Sequence, residues 1–143
     1  MRKILLAVLI LALPSAVALP TYYFFAKPIP TRIDAVGAVS TVAGAGHPGV
    51  EDGISTKAGF SDPFGIAIDK HGSLIVADAG RGNRLRRVTP KGDVKTIAGS
   101  EEGFRDGDAL RAQFNTPSGI AIDKHGNVII SDTSNNRIRK LSM

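Results

Sequence analysis

The chain contains no cysteine and no tryptophan among its 143 residues. Without thiols it can form no disulfide, no thiolate metal site and no cysteine nucleophile. It also lacks a Gly-x-Ser-x-Gly nucleophile elbow, a His-Glu-x-x-His zinc motif and a phosphate-binding glycine loop ahead of a helix. These absences leave an enzymatic activity uncertain and favour a binding protein.

Charged residues are missing between Lys3 and Lys27. The uncharged run is long enough to cross a bilayer as a helix, because about 20 apolar residues suffice. Aromatic residues at 22–25 are typical of a membrane interface. We therefore expect residues 4–26 to form a hydrophobic anchor helix within a leader at 1–26. Small residues around Ala18 favour the alternative, a signal peptide that is cleaved nearby.

Two basic residues, Arg2 and Lys3, precede the apolar run and favour a cytoplasmic N-terminus. The rest of the chain would then be exported, either anchored on the extracytoplasmic side or released after cleavage into the periplasm or medium. We interpret residues 27–38 as a linker and 39–143 as the folded part. Beyond the leader, 16 basic and 13 acidic residues give a net charge of +3. This mild, mixed charge predicts no nucleic-acid partner.

Internal duplication organises the folded part. The octapeptide Gly65–Gly72 recurs unchanged at Gly119–Gly126, 54 positions later. Further matches extend upstream and downstream of the octapeptide at nearly the same offset. We therefore divide the chain into two repeats at about 39–93 and 94–143.

Apolar stretches separated by glycine-rich and aspartate-rich turns predict four strands in one blade-sized unit, at 64–69, 74–77, 84–89 and 94–98. Four antiparallel strands in about 50 residues is the period of a β-propeller blade. The predicted fold class is all-β: a partial β-propeller of about two four-stranded antiparallel blades, preceded by the N-terminal hydrophobic helix.

The repeated motif resembles a known family. Its elements are Pro-x-Gly-Ile-Ala-Ile-Asp, a turn glycine, Ala/Ser-Asp and Asn-Arg-Leu/Ile-Arg, with linking Thr-Val/Ile-Ala-Gly segments. This pattern resembles the long variety of the NHL repeat over about Val39 to Leu141. The resemblance implies blades packed around a central axis. Some propellers of this family bind RNA through a basic face, and related lactonases and a peptide-amidating lyase hold a metal near the axis.

The number of repeats departs from the family pattern, because the second repeat ends after its third predicted strand. Repeat units bury their faces only against neighbours, and about three are usually needed. One interpretation is a fragment of a longer propeller. The other is a homotrimer that closes a six-bladed ring, with 39–43 of one copy supplying the outer strand of another.

Loop residues on one rim of the blades are the candidate ligand contacts, since binding residues concentrate on loops held by a rigid scaffold. They are His47, Asp78, Arg81, Asn83, Arg84, Asp132, Asn135, Asn136 and Arg137. For the two aspartates we favour a structural role, in which each carboxylate accepts backbone N–H groups of its own loop. For the basic strands we favour a solvated edge that discourages strand pairing.

Metal sites find little support in the sequence. His71 and His125 lie in equivalent turns on the opposite rim, and we expect them to be far apart and to serve as turn residues. The Asp-x-Asp-x-Asp-Gly spacing of a calcium loop is missing. We expect no cofactor, with calcium or zinc conceivable only in a closed ring.

The function predicted from these features is an exported, non-enzymatic propeller module that binds a protein, peptide or glycan. One alternative is part of a metal-dependent, lactonase-like or lyase-like propeller enzyme. Another is a fragment without an independent function.

Overall fold

The apolar segments between the turns form strands in the computed structural model, which describes residues 37–143. The predicted anchor helix and nearly all of the predicted linker lie outside the described residues. Among the described residues, no helix has the length and apolarity needed to cross a membrane. Three single-turn 3₁₀ helices occur in the loops, at Ser55–Lys57, Ala109–Arg111 and Thr133–Asn135. The strands are β1 (Gly53–Ile54), β2 (Pro63–Ile68), β3 (Leu74–Asp78), β4 (Arg84–Val88), β5 (Asp93–Ala98), β6 (Pro117–Ile122), β7 (Val128–Asp132) and β8 (Arg137–Leu141).

Two antiparallel sheets result, one from each repeat. The first has the order β1-β5-β4-β3-β2 and the second the order β6-β7-β8. The four predicted strands are observed with ends that differ by at most one residue. The all-β fold class is therefore confirmed.

The outer edge of the first sheet carries a short strand that the sequence did not predict. The position beside β5 is held by β1 of the same chain, with Gly53 opposite Val94. This pairing is feasible because the long segment before β2 turns back along the sheet. Residues 39–43 form no strand within one chain, and their pairing with another copy stays a prediction.

Both faces of the first sheet are packed, because β3 directs apolar side chains to each side in alternation. One face forms a core with the second repeat, and the other is covered by the segment before β2. The core between the repeats contains Ile75, Ala77, Leu85, Ala98, Ala112, Phe114, Val128 and Ile130. The core under the long segment contains Ala58, Val76, Val88 and Val94.

This two-sided packing explains an unusual spacing in β4. Leu85 and Val88 lie three residues apart, whereas core residues on one face of a strand lie two apart. Leu85 pairs with Ala77 and enters the core between the repeats, while Val88 pairs with Leu74 and enters the other core. The two residues therefore face opposite sides by the ordinary alternation of a strand, and the pairing of β4 with β5 has a register shift between Leu85 and Arg86.

The inner strands β2 and β6 lie against each other. Gly65 makes this approach feasible, because a Cβ atom at this position would collide with the carbonyl oxygen of Ser118. The two turns that follow these strands are consequently brought side by side.

Two outward faces retain exposed apolar side chains within the described part of the chain. On β2, Phe64, Ile66 and Ile68 are 58%, 58% and 68% exposed. On β8, Ile138 is 72% exposed, although its repeat counterpart Leu85 is fully buried. These two faces correspond to the two sides of the interface that the repeats bury between them.

Candidate functional site

A buried arginine organises the loop rim of the first repeat. Arg86 has no solvent exposure, and its Nη1 donates to the carbonyl oxygen of Gly59 at 2.8 Å and to Asp78 at 3.1 Å. Its Nη2 donates to the carbonyl oxygen of Glu51 at 2.9 Å and to Asp52 at 3.1 Å. These bonds join β4 to a segment that lies about 30 residues earlier in the chain and fix that segment against the sheet.

Asp78 is the buried anion of this cluster. One carboxylate oxygen accepts the backbone N–H groups of Ser61 and Asp62 at 2.8 and 2.9 Å, and the other accepts Arg86. A buried carboxylate is tolerated when it is paired and hydrogen-bonded in this way. The geometry therefore favours the structural role over ligand contact, with the backbone donors coming from the segment just ahead of β2 rather than from the aspartate's own loop.

The second repeat builds the same cluster from equivalent residues. Arg139 donates to Asp132 at 2.6 Å, to the carbonyl oxygens of Gln113 and Arg105 at 3.1 and 2.9 Å, and to Asp106 at 2.6 Å. Asp132 is fully buried and also accepts the N–H of Asn115 at 2.8 Å.

An aromatic ring flanks each of the two arginines. The Arg86 guanidinium lies 5.2 Å from the centre of the Phe60 ring, and that of Arg139 lies 5.0 Å from the Phe114 ring. Cations at such distances are attracted to the face of an aromatic ring. The Asp–Arg–Phe cluster is thus a repeated structural element that anchors the long segment ahead of each inner strand.

The expectation of a solvated basic edge is wrong for these arginines. Arg86 is in an interior strand of the first sheet and is fully buried, while the Arg139 side chain is only 9% exposed. Alternation along the strand explains the error, since the arginine points to the packed face on which the buried aspartate lies. Arg137 and Lys140, elsewhere on β8, are exposed.

Asn83 connects the two repeats. Its Oδ1 accepts the N–H of Thr116 at 2.8 Å, just ahead of β6, while its Nδ2 donates to the carbonyl oxygen of Gly80 at 3.0 Å. The residue is buried and has φ 42°, a left-handed conformation that asparagine tolerates. Its counterpart Asn136 has φ 52° but is exposed, and its side chain makes no hydrogen bond within residues 37–143.

The remaining loop candidates lie closer to the solvent. His47 is exposed, and Arg84 is half-buried with a 3.5 Å contact to the carbonyl oxygen of Val50. Asn135 donates to the carbonyl oxygen of Gly103 and to Asp132, so its amide supports the loop.

Arg81 and Arg137 differ in their surroundings. Arg81 lies in the β3–β4 loop, where its backbone N–H donates to the Ser61 hydroxyl at 2.9 Å. Arg137 is exposed and stacks over the Phe104 ring at 4.1 Å. A role of these loop candidates in ligand binding stays a prediction.

The two turn histidines are closer together than the sequence led us to expect. His71 and His125 line the same cleft, between the β2–β3 and β6–β7 turns. The expectation that they lie far apart is wrong, because β2 and β6 pack directly against each other. Within residues 37–143, no three His, Asp or Glu side chains are grouped as ligands of a metal ion.

Two antiparallel sheets with adjacent inner strands and a core between their faces define a propeller-like repeat protein. The NHL repeat model matches residues 114–141, so the resemblance predicted from the motif is confirmed. NHL repeat-containing protein 2 of Gallus gallus is 36% identical over 83 residues, which is 57% of this chain and 11% of that protein.

Solved structures show the same architecture. A Bacteroides thetaiotaomicron protein of unknown function has a TM-score of 0.65 and 33% identity over 68% of this chain. An auxiliary nutrient binding protein from the same species has a TM-score of 0.63 and 30% identity over 71% of this chain. The chain covers 26% and 28% of those two structures, so it spans about a quarter of their length.

Proposed function

We propose that residues 39–143 are an exported binding scaffold of the NHL propeller type, which presents fixed loops and turns to a ligand and performs no chemistry on it. The observation that carries this proposal is the repeated Asp–Arg cluster. In each repeat the buried carboxylate and guanidinium are engaged in holding backbone segments. Their role is to position a surface, which is what a binding scaffold requires.

The similarity to an auxiliary nutrient binding protein supports the same conclusion. That description belongs to the other protein, and its chain is several times longer than the matching region. Propellers host many unrelated functions, so the fold by itself does not choose the ligand. The support is that a protein with the same architecture and 30% sequence identity is described as a binding protein.

The test is a binding screen with the full chain in mild detergent against neutral glycans, peptides and small organic anions, using calorimetry. We expect at least one ligand class to bind and to be recovered chemically unchanged. The loop arginines are replaced as Arg81→Ser and Arg137→Ser, with Lys91→Ser and Lys95→Ser as a control of equal charge. Turnover of a bound ligand, or no binding by any class, would refute the proposal.

We further propose that the two exposed end faces are covered by other copies of the chain, which close a ring as a homotrimer. The support is that the faces match the interface already buried inside one chain. Phe64 and Ile66 of one copy would take the place that β6 occupies against the first sheet, and Ile138 of the next copy would take the place of Leu85. Such head-to-tail contacts form rings when the rotation closes.

Light scattering on the detergent-solubilised full chain tests this assembly. The expected mass of the protein component is three times 15.0 kDa, and replacing Ile66 and Ile138 with Ser should lower it to one copy. Replacing Leu110, an exposed residue of a loop, in the same way is the control. A monomeric mass for the unaltered chain would refute the trimer and leave the binding scaffold untouched.

A further inference from the structure

A cleft of about 670 Å³ separates the two turns that follow the inner strands. Each repeat contributes the same tripeptide to its lining, Asp-Lys-His at 69–71 and at 123–125. Arg87 of β4 completes the basic side, and Ile68 and Ile122 provide apolar walls. The volume is in the range of pockets that hold small ligands.

The aspartates of the two turns are occupied by the turns themselves. Asp69 accepts the N–H groups of His71 and Ser73 at 2.8 and 2.9 Å. Partial burial raises the pKa of Asp69, but these backbone bonds and nearby Arg87 outweigh it and leave the pKa below its usual value.

Asp123 is engaged in the same manner. The side chain and backbone of Asn127 and the N–H of His125 hold its pKa below its usual value, against a smaller opposing effect of desolvation. Both carboxylates therefore stay ionised and point their lone pairs at the turn backbone.

The cations of the cleft have much weaker partners. Neither Lys70 nor Lys124 forms an ion pair within residues 37–143. Arg87 reaches Asp69 only at 3.7 Å and the Met143 sulfur at 3.6 Å, and its Nε has no partner in the described chain. Three cations and two ionised aspartates thus line the cleft and leave it one positive charge in excess, and the two lysines are the cations without an ion pair within residues 37–143.

Repetition of these side chains is not explained by the fold. The turn requires the aspartate and a glycine at positive φ, such as Gly72 with φ 79°. The exposed lysine and histidine side chains make no bond that holds the turn, yet they are identical in both repeats. Buried β3, with Leu-Ile-Val-Ala, has diverged to Val-Ile-Ile-Ser in β7.

We propose that this cleft binds a small organic anion through a carboxylate or phosphate group, with its body against Ile68 and Ile122. Lys70, Lys124 and Arg87 supply the charge, and the imidazoles of His71 and His125 supply further hydrogen bonds. Arginine suits planar bidentate contact with such groups, while lysine acts as a point charge. This inference rests on the proposed binding function and names the ligand class and the site.

The test uses the full chain in non-ionic detergent, titrated calorimetrically at physiological ionic strength, where the screening length is about 8 Å. Glucuronate and glucose 6-phosphate distinguish carboxylate from phosphate, and neutral glucose provides a matched body without charge. The test variant combines Lys70→Ser with Lys124→Ser. The control combines Lys57→Ser with Arg111→Ser, which removes the same charge from equivalent exposed positions of the two repeats outside the cleft.

We expect at least one anion to bind, glucose to bind at least about tenfold more weakly, and the Lys70/Lys124 variant to lose at least about tenfold in affinity. The control should change affinity less than about twofold, because screened surface charges act weakly at a distance. Equal losses in both variants, or equal binding of glucose, overturn the anion site. If no anion binds but a glycan or peptide in the wider screen does, the anion site fails and the scaffold stands.

Discussion

Removing the Arg86 guanidinium while keeping its apolar volume gives the sharpest test of the structural cluster. Arg86→Met leaves Asp78 fully buried without its cation, although two backbone donors remain. Breaking a buried ion pair by deleting one partner costs about 3–5 kcal/mol. The carbonyl oxygens of Gly59 and Glu51 also lose donors, at about 1 kcal/mol each. The retained donors offset part of this, and we expect a loss of about 4 kcal/mol in the free energy of unfolding.

Urea unfolding followed by far-UV circular dichroism measures this loss. Fluorescence is unsuitable, because the chain has no tryptophan and both tyrosines lie in the leader. With a urea dependence of about 2 kcal/mol per M, the midpoint should fall by about 2 M. The matched control is Arg84→Met, whose side chain makes a single 3.5 Å contact, and its effect should stay under about 0.5 kcal/mol.

A double-mutant cycle with Asp78→Asn then isolates the pair. This substitution keeps an acceptor for the backbone N–H groups of Ser61 and Asp62 while removing the charge. We expect the double variant to be less destabilised than the sum of the single variants, by about 1 kcal/mol or more. If Arg86→Met costs no more than Arg84→Met, or the two changes add without coupling, the cluster does not hold the loop as argued.

Two further predictions concern the repeat junction and the turns. Asn83→Ala should destabilise the protein by about 1–2 kcal/mol more than Asn136→Ala. Both substitutions remove an asparagine in the left-handed conformation, but only Asn83→Ala removes a hydrogen bond between the repeats. Equal losses of stability in thermal unfolding would count against that hydrogen bond. The lowered pKa of Asp123 contributes stability that is complete above its usual value of 3.8 and disappears as the pH falls through the folded value. The decrease in circular dichroism signal on acidification should therefore be smaller in Asp123→Asn than in the unaltered protein. An unchanged dependence of the signal on pH would contradict this prediction.

The strands of this protein could be predicted from the sequence because turn residues mark their ends. Asp69 and Gly72 close one turn, and the equivalent residues close the next, so the apolar stretches between them had little freedom in length or register. The resemblance to NHL repeats rests on the residues of the repeated motif, from Pro-x-Gly-Ile-Ala-Ile-Asp to Asn-Arg-Leu/Ile-Arg. In the first repeat β1 was missed, because two residues carry no periodic signal.

The buried cluster could not be derived in the same way. Arg86 contacts residues 8, 27, 34 and 35 positions away, and nothing in a strand pattern fixes which loop folds back onto it. A signal was nevertheless present, because Asp52 and Asp106 stand in equivalent positions and Arg86 and Arg139 are both retained. An arginine and an aspartate that are both kept at equivalent positions of the two repeats indicate a paired, buried role.

Residues that are identical in the two repeats can be divided into structural positions and candidate binding positions once their contacts are known. The repeated Asp78 and Arg86 are explained by bonds within their own repeat, so their identity needs no ligand. The repeated Lys70 and His71 have no such explanation, because Asp69 and glycine already build the turn. A side chain that is repeated, exposed and unused by the fold retains its hydrogen-bonding capacity for a partner. On the loop rim, the repeated aspartates and arginines bond to one another, whereas Lys70 and Lys124 in the cleft between the turns form no ion pair within residues 37–143.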